Sequence, residues 1–143
     1  MEQFHIARNV FDFGIVIVVW LAQVIMYPSL AHIERDAFVS WHRKYSSRIA
    51  FFVIPLLCGQ AVVVGIMIYL GGGFLTILSA AIIALCWVST FGLSVPCHVK
   101  LQRSGKDLSV IRRLVWTNFI RTVLWSLVFL IGIWSTLFSE SNP

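Results

Sequence analysis

Apolar residues dominate four stretches of the chain, and polar residues gather between these stretches and near the ends. The four stretches cover residues 10–30, 49–70, 74–95 and 119–138. A helix needs about 20 apolar residues to cross the roughly 30 Å hydrocarbon core of a bilayer, so each stretch is long enough to span it. The pattern therefore predicts an all-α integral membrane protein, a four-transmembrane-helix bundle that forms a single membrane domain over residues 1–143.

The connections between the apolar stretches have a pattern of their own. Between the first two spans, apolar side chains recur at helical spacing at Ile33, Ala37, Phe38, Trp41 and Tyr45. With charged residues on the other faces, this spacing predicts an amphipathic helix that lies at the membrane interface between spans 1 and 2. Before the fourth span, residues 104–106 indicate a turn and Asp107 a helix N-cap.

Composition agrees with a membrane protein. Hydrophobic residues make up 59% of the chain and charged residues 12%, with a mean hydropathy of +0.88. Soluble domains contain about 45–50% apolar and about 25% charged residues, so these charges are too few to cover a water-facing surface. The N-terminus lacks the basic start and the small-residue cleavage site of a signal peptide, and we expect the first span to stay in the mature protein.

The basic residues indicate an orientation. The formal net charge is +5 at pH 7, and most of the basic side chains lie in the connections before the second and fourth spans. They are Arg35, Arg43, Lys44, Arg48, Lys100, Arg103, Lys106, Arg112 and Arg113. The positive-inside rule therefore places both connections in the cytoplasm and both termini outside, and we expect a bacterial inner membrane. It also favours anionic lipids of the cytoplasmic leaflet as partners and gives no sign of nucleic-acid binding.

Polar residues inside the apolar stretches mark a candidate site. Arg121 has Asn118 one turn before it and Trp125 one turn after it, so the three share one helix face. Near the same end of the first span, Gln23 and Tyr27 lie one turn apart. Intramembrane ionisable residues are costly and often functional, so Arg121 either turns inward to bind an anionic or carbonyl group or extends to lipid phosphates. We expect Gln23, Tyr27 and Trp125 to contribute to ligand or cofactor binding.

The opposite end of the first span holds a smaller polar group. Asp12 and Asn9 lie there, where we expect them to cap the helix or to pair with Arg8.

Three histidines lie near the predicted cytoplasmic interface. His32, His42 and His98 could together hold a transition metal or haem, because imidazole is the commonest metal ligand in proteins. Their spacing matches no compact ligand motif, however, and the cofactor stays unknown. His42 and Tyr45 are three residues apart on one helix face, and with His98 they are candidates for proton transfer.

The two halves of the chain share a weak internal repeat. Each half begins with a span that ends at a residue followed by proline, Tyr27-Pro28 in the first half and Val95-Pro96 in the second. A histidine, an amphipathic segment and an arginine at the mouth of the next span follow in both halves. This order is compatible with a parallel duplication of a two-helix unit.

The segment RRLVWTNFIRTVLWSL resembles the closing segment of the anthrone-oxygenase-like family of small four-helix membrane proteins. The shared feature is Asn-x-x-Arg at the start of the last span, here Asn118 and Arg121. The resemblance implies the same four-helix architecture. It also implies an association with oxygen insertion into aromatic polyketides without an obvious cofactor.

Two function hypotheses follow from the sequence. In the first, the chain is a small membrane enzyme, an oxygenase or redox protein, with a cytoplasm-facing pocket for a lipophilic small molecule. Asn118 and Arg121 would orient the substrate, and His42, Tyr45 or His98 would move protons. In the second, the chain is a non-catalytic accessory or structural subunit, or a homo-oligomeric small-molecule binder or transporter. Both hypotheses stay open, and so does the question of whether the chain is an enzyme.

Overall fold

The computed structural model describes residues 2–139, and every regular element within them is helical. The α-helices are α1 (Glu2–Leu21), α2 (Tyr27–Ser29), α3 (Arg35–Tyr69), α4 (Phe74–Ser89), α5 (Val95–Ser104) and α6 (Leu108–Ser139). Two π-helical turns (Ala22–Met26 and Thr90–Ser94) and one 3₁₀ turn (Leu30–His32) lie between them. The all-α prediction is therefore confirmed for the part of the chain that the structure describes.

These elements join into continuous helices. Glu2–His32, Arg35–Tyr69, Phe74–Ser104 and Leu108–Phe138 are each long and apolar enough to cross a membrane, and they are termed spans 1 to 4 below. Each predicted apolar stretch falls on one of these helices to within one residue.

The connections are much shorter than the sequence indicated. Only Ile33 and Glu34 separate spans 1 and 2, and three residues separate spans 3 and 4. The predicted separate interfacial helix is not shown, because residues 35–48 continue into span 2 as one helix. The reason is that their apolar face has a protein partner: Phe38 is fully buried in a core cluster with Leu101 and Leu114.

The turn before span 4 forms as the sequence predicted. Gly105 adopts a φ of 80°, which a residue without Cβ adopts at little cost. Asp107 then caps α6, because its Oδ1 accepts from the backbone N–H groups of Ser109 at 2.9 Å and Val110 at 3.3 Å. The Ser109 hydroxyl also donates to this carboxylate, and these hydrogen bonds lower the pKa of Asp107 from its ordinary value.

Spans 1 and 3 each contain a π turn just before a proline. The N–H of Tyr27 donates to Ala22 O, and the N–H of Val95 donates to Thr90 O, so each turn is one residue wider than an α-turn. The next residue is proline in both spans, and a proline ring crowds the carbonyl four residues earlier. The wider turn relieves this crowding without breaking the helix, and such turns often occur at functional sites.

A buried polar hub joins all four spans. On span 1, Arg8 Nε lies 3.2 Å from Asp12 Oδ2, and both side chains are fully buried. Arg8 Nη2 also donates to Ser79 Oγ of span 3 at 2.8 Å and to the Val128 carbonyl of span 4 at 3.1 Å. From span 2, Gln60 Nε2 donates to Asp12 Oδ1 at 2.6 Å. The ion pair expected from the sequence thus lies in the core and not at a helix end.

Span 4 approaches this hub closely at Gly132. A Cβ atom at this position would collide with the Asn9 side chain and lie 3.3 Å from Asp12 Oδ2. Asn9 is itself held there by a 2.9 Å hydrogen bond to Thr136. The absence of a side chain at Gly132 therefore allows spans 1 and 4 to close around the ion pair.

The hub predicts a large loss of stability for Asp12→Asn. This change keeps the shape of the side chain but leaves Arg8 buried without a counter-charge, which costs about 3–5 kcal/mol in typical cases. We expect detergent-solubilised Asp12→Asn to show a correspondingly lower free energy of unfolding, measured by denaturant titration and tryptophan fluorescence. Asp36→Asn makes the same chemical change at an exposed position. Equal losses in the two variants would contradict a stabilising role for the hub.

Candidate functional site

A cavity of about 420 Å³ lies between the spans, closer to the basic connections than the hub is. Most of its wall is apolar. Polar side chains line one part of it, and the principal ones are Tyr27, Tyr45, His98, Asn118 and Arg121. Sequence analysis selected all five of these residues, and the structure brings them to one cavity although they come from four different spans.

Arg121 is a buried cation in the wall of this cavity. Only 4% of its surface is exposed. Its Nη1 donates to Thr90 Oγ1 at 3.1 Å and its Nη2 to Asn118 Oδ1 at 3.0 Å, while Nε has no partner. Among residues 2–139 the ion pairs are Arg8–Asp12 and Lys100–Asp107, so no carboxylate in this part of the chain neutralises Arg121. Its turn away from lipid phosphates agrees with the inward alternative.

Asn118 fixes the orientation of Arg121. The Asn118 amide nitrogen donates to Gln23 Oε1 at 2.9 Å and to the Val19 carbonyl at 3.2 Å, both on span 1. Its amide oxygen therefore points toward the guanidinium. Gln23 does not line the cavity itself. It accepts a hydrogen bond from Asn118, which positions Arg121, so Gln23 supports the site indirectly.

A chain of three side chains leads away from the cavity. The Tyr27 hydroxyl lies 3.4 Å from His98 Nε2, and His98 Nδ1 lies 3.1 Å from His42 Nε2. His42 is fully buried under the ring of Phe38, with 5.6 Å between the ring centroids, and its Nδ1 has no partner. Because each neutral imidazole has one donor and one acceptor nitrogen, this chain can pass a proton in either direction.

The expected pairing of His42 with Tyr45 is looser than the sequence indicated. The two rings are neighbours, with centroids 6.3 Å apart, but the Tyr45 hydroxyl donates to Met26 Sδ at 3.7 Å. Trp41 stacks on the other face of Tyr45. Tyr45 thus lines the cavity, while the hydrogen-bond partner of His42 is His98 from span 3.

The three histidines do not come together. His32 is exposed, with its Nδ1 3.3 Å from the Pro28 carbonyl. Within residues 2–139, no group of three or more histidine, cysteine, aspartate or glutamate side chains is placed to hold a metal ion. The predicted three-histidine metal set is thus not assembled, because the helix carrying His32 turns its side chain outward.

Trp125 connects the cavity with the polar hub. It is almost fully buried and lines the cavity, and its Nε1 donates to Gln60 Oε1 at 3.4 Å. Gln60 also binds Asp12, so the position of Trp125 depends on the hub.

Besides Ser46 and Gln102, two polar residues of the cavity were not selected as site residues by sequence analysis. Thr90 accepts a hydrogen bond from Arg121, and the Ser94 hydroxyl is buried without a partner. Both lie on the π turn before Val95-Pro96, so the proline was the available signal.

Comparisons with known proteins add no relative. No protein-family model matches the chain, and no significant match was found among curated proteins or solved structures.

Proposed function

We propose that this chain is an integral membrane protein that binds a lipophilic small molecule with an anionic head group in the cavity beside Arg121. The observation that carries this proposal is the buried guanidinium without a carboxylate partner in the described chain. Burial of a charge is costly unless an opposite charge and hydrogen bonds compensate it. Neutral acceptors from Thr90 and Asn118 hold the side chain in place and leave the counter-charge to a ligand.

The rest of the cavity suits the body of such a ligand. Its remaining wall is mainly aliphatic, with the Trp125 ring on one side. Its volume of about 420 Å³ lies within the roughly 300–1,000 Å³ that small-molecule sites usually have. A few fixed polar groups in an apolar cavity orient a ligand, and here they favour an acidic group at one end and an apolar body at the other.

This proposal predicts a preference for an anion over a neutral ligand of the same shape. Naphthalene-2-sulfonate should bind the purified protein more tightly than naphthalene-2-sulfonamide in isothermal titration calorimetry. Loss of one partner of a buried charge pair costs about 2–5 kcal/mol, so Arg121→Gln should weaken sulfonate binding by about 30-fold or more. Arg113→Gln removes an exposed charge from the same helix and serves as the control. Equal effects of the two substitutions, or no anion preference, would refute the proposal.

A second candidate function is catalysis by proton transfer. It is favoured by the hydrogen-bonded chain from Tyr27 through His98 to His42, which starts at the cavity wall. A ligand hydroxyl beside Arg121 would give its proton to the Tyr27 oxygen as the Tyr27 proton passes to His98 Nε2. The His98 Nδ1 proton would pass to His42 Nε2, which leaves the ligand anionic and His42 cationic. The resemblance to the anthrone-oxygenase-like family suggests an oxygenase or redox reaction of such an anion, with O₂ as co-reactant.

The relay predicts ionisation of a bound phenol. Free 2-naphthol is neutral at pH 7, since phenols ionise near pH 10. Bound to the wild-type protein at pH 7, it should show the red-shifted absorption of naphtholate. His98→Asn and Tyr27→Phe should abolish this shift while naphthalene-2-sulfonate, which needs no proton transfer, binds as before. His32→Asn replaces an exposed histidine and should leave the shift intact. A naphtholate spectrum that persists in His98→Asn would exclude the relay.

The orientation proposed from the basic residues has a direct test. In a variant without native cysteines, a membrane-impermeant maleimide added to intact cells should label Gly73→Cys, next to Gly72 and in open space, but not Arg103→Cys. Both termini would then lie outside, on the side of Gly72, and the basic ends of the spans would contact anionic lipid in the cytoplasm. The reverse labelling pattern would overturn the orientation but not the site.

The non-catalytic alternative keeps the same site. An accessory subunit, or an oligomer that binds a small molecule, would show anion binding at Arg121 without ionisation of naphthol. The two experiments above therefore separate a binding protein from an enzyme.

A further inference from the structure

Between spans 2 and 3 the cavity reaches the lateral surface of the bundle, where its exposed lining residues are apolar. Four residues that line the cavity are also open to the outside of the bundle, with between 39% and 60% of their surface exposed. They are Ile54 on span 2 and Phe91, Val95 and Val99 on span 3. We use the term slit for the opening that these four residues flank.

The π turn of span 3 lies beside the slit. Span 2 packs against α4 before the turn and against α5 after it, whereas the turn itself, Thr90–Ser94, packs against α6. The widened turn thus carries Thr90 inward to Arg121 and leaves Phe91 on the rim. The π turn thus contributes a hydrogen-bond acceptor to the Arg121 site and one residue to the slit.

Polarity increases from the slit toward the interior. The rim is aliphatic and aromatic, while the hydrogen-bonding groups of Arg121 and Asn118 lie deep in the bundle, where almost none of their surface is exposed. A site that takes its ligand from water usually has the opposite order, with polar groups at its rim. Across a membrane-spanning bundle, an apolar opening on the lateral surface faces hydrocarbon. A molecule bound in the cavity then exchanges with the bilayer through this opening.

We propose that the ligand is a single-tailed anionic amphiphile, such as a long-chain fatty acid, that enters from the bilayer through the slit. This inference rests on the proposed function of Arg121. The acidic head would reach the guanidinium, and the tail would lie along Ile54 and Val95 and remain in the hydrocarbon. The tail then keeps its apolar surroundings throughout, so only the head changes environment on binding.

Charges near the cavity support an anionic occupant. Lys100 directly follows the cavity residue Val99, and its side chain is 58% exposed. Exposed basic residues at the same end, among them Arg43, Lys44 and Arg103, attract anionic amphiphiles to the adjoining leaflet. The only ion pair formed by this exposed group within residues 2–139 is Lys100–Asp107. The local concentration of an acidic lipid is therefore raised beside the slit.

The test is a binding assay in nanodiscs of phosphatidylcholine, with radiolabelled palmitate as the probe and scintillation proximity as the readout. Ile54→Trp and Val95→Trp would fill the slit from its two sides. Most substitutions at one binding site change the dissociation rate much more than the association rate. A fall of about tenfold or more in the association rate of palmitate is therefore the expected signature of a blocked path. Val88→Trp is the control, since Val88 is 70% exposed on span 3 and does not line the cavity.

The outcomes separate the two proposals. Two results together support both proposals. The affinity for palmitate falls about 30-fold or more in Arg121→Gln, and palmitate association is slowed in the slit variants but not in Val88→Trp. Binding that depends on Arg121 but is unchanged in Ile54→Trp and Val95→Trp would overturn the slit and leave the anion site standing. If sulfonate binding depends on Arg121 but palmitate binding does not, the proposal of a single-tailed anionic ligand is overturned. Loss of the Arg121 dependence for both probes would overturn the proposed function itself.

Discussion

The bundle depends on the need of buried polar groups for partners inside the protein. A backbone or side chain withdrawn from water must find its hydrogen bonds within the fold. Arg8 and Asp12 do so by reaching side chains or carbonyls of all three other spans. This arrangement fixes the rotation of each helix about its own axis. Trp125 of span 4 donates a hydrogen bond to Gln60, which also binds Asp12. The hub therefore turns the face of span 4 that carries Arg121 toward the interior.

The two buried arginines show how the surroundings decide a role. The charge of Arg8 is paired with the Asp12 carboxylate, and its guanidinium also donates to groups on spans 3 and 4, so this arginine holds the bundle together. Arg121 is buried to nearly the same extent, but its hydrogen-bond partners Thr90 and Asn118 are uncharged. The first arrangement pairs the charge without a ligand, although Arg8 Nη1 is buried without a hydrogen-bond partner. The second retains an unneutralised charge next to a cavity, which is the physical basis for assigning function to one and stability to the other.

Contacts within one helix could be predicted from the sequence, and contacts between helices could not. The stripe of Asn118, Arg121 and Trp125 follows from helical spacing, as does the pairing of Arg8 with Asp12. The partners that complete these groups, Gln60 and Thr90, lie far away along the chain, and hydropathy carries no information on how spans rotate against each other. The amphipathic segment was placed at the interface because sequence cannot distinguish an apolar face that meets lipid from one that meets protein.

The two π turns lie 68 residues apart, at matching places in the two halves of the chain. The same offset relates Tyr27, Asn118 and Arg121 to Val95, Ala50 and Val53, and all six line one cavity. At these three pairs of positions the polar side chains lie on spans 1 and 4 and the apolar ones on spans 2 and 3. A symmetric ancestor built from two identical units would have presented two equal walls. Divergence after duplication would then have placed recognition on spans 1 and 4 and passage on spans 2 and 3.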